Sequence, residues 1–142
     1  MVEQLSVFLQ NEPGKIAFIT DALARGGIDL RALSVADTAD FGVLRMLVSD
    51  VRKARDILAR NNCIVSATSV TVVAVPDVPG GLAKVSSLLA QERVNVEYMY
   101  SLIGRGEDKA YMVFRVSDEQ KLLDILEKNG LSAVSGEELG IR

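Results

Sequence analysis

Apolar positions along this chain follow two different spacings, and each spacing predicts an element. Short β-rich runs at 4–10 and 70–76 read as strands. Each ends in a polar turn with a Pro-Gly pair: Pro13-Gly14 in "LQNEPGKIAFI" and Pro79-Gly80 in "VPDVPGGLAKV". Beyond the turns the spacing becomes three and four. Ile16, Ile19, Thr20 and Leu23, and likewise Leu82, Val85 and Leu89, mark one face of an amphipathic helix. "LRALSVAD" and "VEYMYSLI" predict strands, followed after a turn by "GVLRMLVS" and "AYMVFRVS". Second helices are expected over about 51–60 and 118–128, capped by Asp50 and by Ser117 or Asp118. "NN" and "NG" should end them, because Asn and Gly tolerate left-handed backbone. Short strands near 63–68 and 131–135 complete the pattern.

The two halves are copies. Sliding the chain by 66 positions lays Ile16 on Leu82, Ile19 on Val85, Leu23 on Leu89, Ile28 on Val94 and Leu30 on Val96. Later the offset becomes 68, so that "VSDVRKARDIL" meets "VSDEQKLLDIL". The two extra residues fall near "GRGED", which reads as a hairpin tip where insertions are tolerated. The order is therefore βαββαβ twice, with domains expected at 1–69 and 70–142. Right-handed crossovers make each copy an α+β, ferredoxin-like unit with both helices on one face of an antiparallel sheet. One copy alone leaves sheet edges bare, so joined edges are expected. "VSATSVTVVAV" contains no linker-like stretch, so the copies are expected to pack together.

Composition narrows the chemistry. The chain has 142 residues, 49% hydrophobic and 25% charged, an ordinary balance for a globular protein. A net charge of −3 argues against a nucleic-acid partner, which needs a Lys/Arg surplus. There is no histidine, the commonest metal ligand and general base, so zinc and most hydrolase chemistry start badly. The single cysteine, Cys63, can form no intramolecular disulfide and reads as a small buried hydrophobe. No convergent acid/base pair is visible: Glu137 and Glu138 look solvated, and Glu107 and Asp108 fall in a loop. The reading is of a non-enzyme with no catalytic residues, no metal and no cofactor. "MVEQLSVFLQ" lacks a basic secretory n-region, and the longest uncharged run, 61–76, is too short and polar to span a membrane. A cytoplasmic protein without a membrane partner is expected.

The Pro-Gly turns hold the candidate chemistry. A helix start presents free backbone N–H groups and partial positive charge. Gly14 and Gly80, with Gly81 beside the latter, would let a small anion approach those amides. Asn11 and Asp77 lie just upstream, and their oxygens can cap the helix or accept bonds from an ammonium group. Carboxylate donors beside ammonium acceptors complement a free amino acid. The same residues also make an ordinary strand-to-helix turn, and the residues alone leave both readings open. "GGLAK" is no phosphate loop, since the required Gly-Lys-Ser/Thr spacing is missing.

Asn/Asp-x-Pro-Gly, an apolar-periodic helix and then "GGIDLRALSV" or "ERVNVEYMYS" resemble the ACT domain, a βαββαβ module that binds amino acids. The resemblance covers essentially the whole chain. The first copy is especially similar to the start of the acetolactate synthase regulatory subunit. That subunit continues differently, whereas here a second ACT-like copy follows. The resemblance implies an amino-acid-binding regulatory or sensor protein, with regulation of a separate biosynthetic enzyme such as acetolactate synthase as the alternative. It places ligands where two modules pack, between the first strand–helix loop of one and the start of the second strand of the other. Carried over, the site residues are Asn11, Pro13 and Gly14 with Asn95, and Asp77, Pro79 and Gly80 with Asp29. Within one copy Asn11 and Asp29 flank a helix and lie about 20 Å apart, so another module must supply the second half. The halves meet either within the chain or across a homodimer. Asp29 and Asn95 also read as plain turn residues.

An RNA-binding reading shares the topology. "KAYMVFRV" places Val113 where a stacking aromatic is wanted, and "GVLRMLVS" has no aromatic, so no nucleic-acid partner is expected. Tyr98, Tyr100 and Tyr111 are expected to pack on the sheet or at a module interface.

Overall fold

Period-two runs become strands and period-three-and-four runs become helices in the computed structural model, which describes residues 1–37, 41–103 and 108–142. The elements are β1 (Val2–Gln10), α1 (Lys15–Arg25), β2 (Leu30–Asp37), β3 (Phe41–Val48), α2 (Val51–Arg60), β4 (Ile64–Pro76), α3 (Gly81–Gln91), β5 (Val96–Ser101), β6 (Lys109–Val116), α4 (Glu119–Lys128) and β7 (Ala133–Val134). By contacts they form two units. The N-terminal unit comprises Glu3–Thr68 with Gly136–Arg142, and the C-terminal unit comprises Ser69–Ser135 with Met1–Val2.

In the N-terminal unit β3 runs antiparallel to both β1 and β2, and Met46 lies opposite Leu5 on one side and Leu33 on the other. Leu5, Val7, Leu44, Met46 and Val48 from the sheet form one core with Ile19 and Leu23 of α1 and Val51, Ala54 and Leu58 of α2. Both helices therefore cover the same sheet face. Each large apolar side chain so buried contributes about 1.5–3 kcal/mol. The C-terminal unit repeats this plan, with strand order β7-β4-β6-β5, all antiparallel. There Phe114 stands where Met46 stands, opposite Thr71 and Met99, and packs with Val73, Val85, Leu89, Leu122 and Leu126.

Three expectations are corrected by the fold. The strands expected at 63–68 and 70–76 are one strand, β4, because nothing between them is Gly or Pro and the run is rich in β-branched residues. The last strand is only Ala133–Val134. Ile16, on the first helical turn, is 39% exposed, and Ala22 joins Ile19 and Leu23 on the buried face instead. The "GRGED" tip lies outside the described residues except for Asp108. Helix ends are as the composition implies: Asn62 and Gly130 adopt φ of 60° and 69°.

Residues 136–142 fold onto the N-terminal unit. Ile141 packs against its core. The Arg142 N–H donates to the Ser49 carbonyl (2.9 Å), and the Arg142 carbonyl accepts from the Val51 N–H (3.0 Å), one of the donors a helix start leaves without an internal partner. No helix among the described residues is long and apolar enough to cross a membrane.

Candidate functional site

The four helices among the described residues begin in two different ways. α2 and α4 carry Asp N-caps: Asp50 Oδ1 accepts from the Lys53 N–H (3.1 Å) and Asp118 Oδ1 from the Lys121 N–H (3.0 Å). α1 and α3 begin at Gly14 (φ 86°, ψ −8°) and Gly80 (φ 89°, ψ −8°), and among the described residues no side chain caps either. A side-chain-bearing residue is strained in that left-handed conformation, which accounts for glycine at both positions. The first intrahelical bonds are Phe18 N–H to Gly14 O (3.0 Å) and Lys84 N–H to Gly80 O (3.1 Å). The amides of Ile16 and Ala17, and of Leu82 and Ala83, precede those bonds and have no intrahelical acceptor. A Cβ at Gly14 or Gly80 would meet nothing within 4 Å, so the approach to each helix start is open.

Asn11 and Asp77 do not cap these helices; glycine holds the N-cap position, and both side chains lie upstream of it on the turn. Instead Asn11 Nδ2 donates to both carboxylate oxygens of Asp37, at 3.0 and 3.2 Å. The Asp77 backbone N–H donates to the Asp108 carbonyl (3.0 Å), which fixes the end of β4 while its side chain stays exposed. Pro13 and Pro79 are exposed on the same turns.

Asp29 and Asn95 occupy the opposite ends of α1 and α3. Both are clamped through their backbones. The Asp29 N–H donates to Ser49 Oγ (2.9 Å) while its carbonyl accepts from the Ser49 N–H (2.9 Å). Asn95 does the same with Ser117, at 3.0 and 2.9 Å. Immediately afterwards each following strand has a register break, between Leu30 and Ala32 in β2 and between Val96 and Tyr98 in β5. These bulges set Arg31 and Glu97 outside the regular pairing. Arg31 Nη1 meets Asp29 Oδ2 at 2.8 Å, and Arg115 Nε meets Glu97 Oε2 at 3.8 Å. Within a unit the structure thus gathers Asn11, Pro13 and Gly14 (or Asp77, Pro79 and Gly80) at one end of an 11-residue helix and Asp29 (or Asn95) at the other. Eleven residues of helix separate the ends by roughly 16 Å.

A feature that the motifs did not single out lies beside the first turn. A cleft of about 360 Å³ in the N-terminal unit is lined by Phe8, Leu9, Gln10, Lys15, Phe18, Ile19, Phe41, the turn residues Asn61, Asn62 and Cys63, and Ile64 at the start of β4. Cys63 on this wall is half-buried, not buried, and packs partly on the core. Burial pushes its thiol above the usual range, and the nearby Lys15 ammonium works in the opposite direction. The signal for the cleft was present in the repeat: Phe8, Phe18, Phe41 and Ile64 overlie Ala74, Lys84, Lys109 and Ser132. Tyr98 and Tyr100 stack on β5 with centroids 6.5 Å apart, and Val113 is buried. Among the described residues no group of three or more His, Cys, Asp or Glu side chains is placed to hold a metal ion.

Comparison with known proteins agrees with the duplicated plan. The family model described as "ACT domain pair" matches residues 1–141. A search of curated protein sequences finds no match. The crystal structure of protein BT0572 from Bacteroides thetaiotaomicron is 39% identical, covers 98% of this chain and 95% of its own, and superposes with a TM-score of 0.90. The ligand-free regulatory subunit of aspartate kinase from Thermus thermophilus is 16% identical over 89% of this chain and 91% of its own, with a TM-score of 0.63, a likeness of fold. A structure of aspartokinase alpha and beta subunits is 17% identical over 90% of this chain and 96% of that one, TM-score 0.59. With the family model spanning both βαββαβ copies, the chain belongs to the ACT domain pair family.

Proposed function

We propose that this chain is a non-catalytic regulatory protein that binds a free amino acid at its Pro-Gly turns. One observation carries the reading: of the four helices among the described residues, the two that follow Asn/Asp-x-Pro-Gly have no side-chain cap for the amides of Ile16 and Ala17 or of Leu82 and Ala83 behind a left-handed glycine, while the other two are capped by aspartate. The fold does not require open helix starts, because it caps the remaining pair. Amides grouped at a helix N-terminus favour a carboxylate, and Asn11 or Asp77 supplies oxygens for an ammonium group. Each turn is half a site. Asn95 would complete the half at Asn11, Pro13 and Gly14, and Asp29 the half at Asp77, Pro79 and Gly80, with modules contributed by one chain or by two copies in a homodimer. At the second of these Arg31 would balance the charge that Asp29 and Asp77 bring together.

A ligand bound across modules favours one arrangement of them over another, by no more than its difference in affinity for the two. A separate biosynthetic enzyme is the natural reader of that change. The aspartate kinase regulatory subunit that shares this fold is itself a regulatory chain.

A melting screen of the full chain against the twenty amino acids tests the reading. Ligand at a hundred times its Kd stabilises by about 2.7 kcal/mol, a shift of several degrees. Asn11→Ala combined with Asp77→Ala should abolish the shift without changing the unliganded melting temperature. If no amino acid raises the melting temperature, the chain is an oligomerisation module and the reading is wrong. Co-purification with a large catalytic subunit would identify the enzyme partner.

A further inference from the structure

The cleft beside Lys15 is not demanded by the fold. Phe8, Phe18, Phe41 and Ile64 are 46%, 48%, 58% and 71% exposed around it, and they include three of the four phenylalanines in the chain. The C-terminal unit builds the same elements with Ala74, Lys84, Lys109 and Ser132 at those places. Folding therefore does not account for four large apolar side chains facing solvent in one unit only, and a contiguous exposed apolar patch marks a contact surface. The cleft's volume, about 360 Å³, lies within the range of small-molecule sites, roughly 300–1,000 Å³. Its walls are mostly apolar, with the amides of Gln10, Asn61 and Asn62 and one cation, Lys15, the combination that small-molecule pockets use to fix orientation.

We propose that this cleft binds a small carboxylate with a bulky apolar body, an aromatic or branched aliphatic amino acid or the corresponding 2-oxo acid. Phe8, Phe18, Phe41 and Ile64 enclose the apolar body, and the Lys15 ammonium pairs with the carboxylate. The choice of an amino acid as ligand rests on the reading above; the location and the apolar preference rest on the cleft. The C-terminal unit, with Lys84 and Lys109 in place of two phenylalanines, does not share this preference.

Cys63, the only cysteine and a half-buried part of the cleft wall, reports occupancy directly. Its alkylation by iodoacetamide, a neutral reagent insensitive to the charge of Lys15, is followed in the full chain at one fixed alkaline pH, because burial holds this thiol above its usual range. The probes are L-phenylalanine, L-leucine, phenylpyruvate and, as polar controls, L-serine and L-aspartate. L-phenylalanine or L-leucine should slow alkylation at least fivefold. Phe18→Lys, Ile64→Ser and Lys15→Gln should each raise about tenfold the probe concentration needed for half of that protection. All three positions are exposed or half-exposed, and melting of the unliganded variants checks that they fold. Should Phe18→Lys melt early, Ile64→Ser at the most exposed wall position carries the test.

Protection by phenylpyruvate, with no amino acid protecting Cys63 or raising the melting temperature, would support the cleft and overturn the amino-acid reading. A polar amino acid that raises the melting temperature, with no apolar probe protecting Cys63, would overturn the cleft and leave that reading standing. No response in either assay overturns both.

Discussion

Thr71 and Leu5 stand at the same place in the two units, and so do Glu119 and Val51. In the N-terminal unit both positions are apolar and both side chains join the core. In the C-terminal unit Thr71 is fully buried and its hydroxyl donates to Glu119 Oε1 (2.9 Å), which also accepts from Ser69 Oγ (3.1 Å). Arg115 Nη1 donates to the Ser69 carbonyl (3.0 Å), tying the group to β6. At the matching helix start in the N-terminal unit the Val51 N–H donates to the Arg142 carbonyl. One backbone plan thus tolerates either an apolar pair or a polar network at one locus, provided every buried polar group finds a partner. Differences between the units are therefore informative. Where the fold can be built both ways, the choice reflects something other than folding.

The sharpest steric difference lies next to the Pro-Gly turns. Gly81 follows Gly80, and a Cβ there would sit 2.0 Å from the Pro76 carbonyl oxygen, so backbone must move to admit it. Its counterpart, Lys15, carries a full side chain. Gly81→Ala should cost the C-terminal unit at the upper end of the usual overpacking range, about 3 kcal/mol, and raise hydrogen exchange across α3 and β4. Lys15→Ala should change stability by no more than about 0.5 kcal/mol. Denaturant melts of the two variants compare them directly, and equal losses would show that the two turns are packed alike.

These contrasts also show how far the residues themselves announced the structure. The repeat exposed both cores, because Ile19 and Leu23, like Val85 and Leu89, bury one helix face, and Ile28 and Val94 bury the turn that follows each helix. The cap Asp50 was equally plain, since capping depends on only four consecutive residues, while the second cap was narrowed to Ser117 or Asp118 and the fold selects Asp118. The bulges at Arg31 and Glu97 were not legible: they arise from the register between two strands, which no single segment encodes. Nor was the return of residues 136–142 to the N-terminal core, where Ile141 contributes a single apolar side chain with no periodic pattern. For the candidate site, Gly14 and Gly80 could be read as special because both repeats keep them. The cleft was legible only as an asymmetry between the repeats, with Phe8 and Phe18 opposite Ala74 and Lys84; that those side chains are exposed and share one wall comes from the fold.

A double-mutant cycle on the Thr71–Glu119 pair tests whether the polar network replaces the apolar one. Glu119→Val alone strands the buried Thr71 hydroxyl and should cost about 1–3 kcal/mol. Thr71→Val alone removes one donor from a half-exposed carboxylate and should cost less, since water can replace it. Adding Thr71→Val to Glu119→Val should recover most of the loss, because an apolar pair of similar shape leaves nothing unsatisfied. Losses that simply add would show that the hydroxyl and the carboxylate act independently.

The smallest expected effect comes from the ends of the first helices. Gly27 closes α1 at φ 73°, whereas its counterpart Arg93 closes α3 at φ 57°, one of three non-glycine residues with positive φ among the described residues. A left-handed residue with a Cβ costs about 1–2 kcal/mol relative to glycine. Glycine in turn loses more conformational freedom on folding, which offsets about 0.4–1 kcal/mol of that gain. Arg93→Gly should therefore stabilise the C-terminal unit by roughly 0.5–1 kcal/mol, and Gly27→Arg should destabilise the N-terminal unit by a similar amount. Opposite shifts in denaturant midpoint would show that the strain belongs to the shared backbone plan. If Arg93→Gly destabilised instead, the Arg93 side chain would be contributing contacts that outweigh its backbone strain, and the two helix ends would differ in more than their residue.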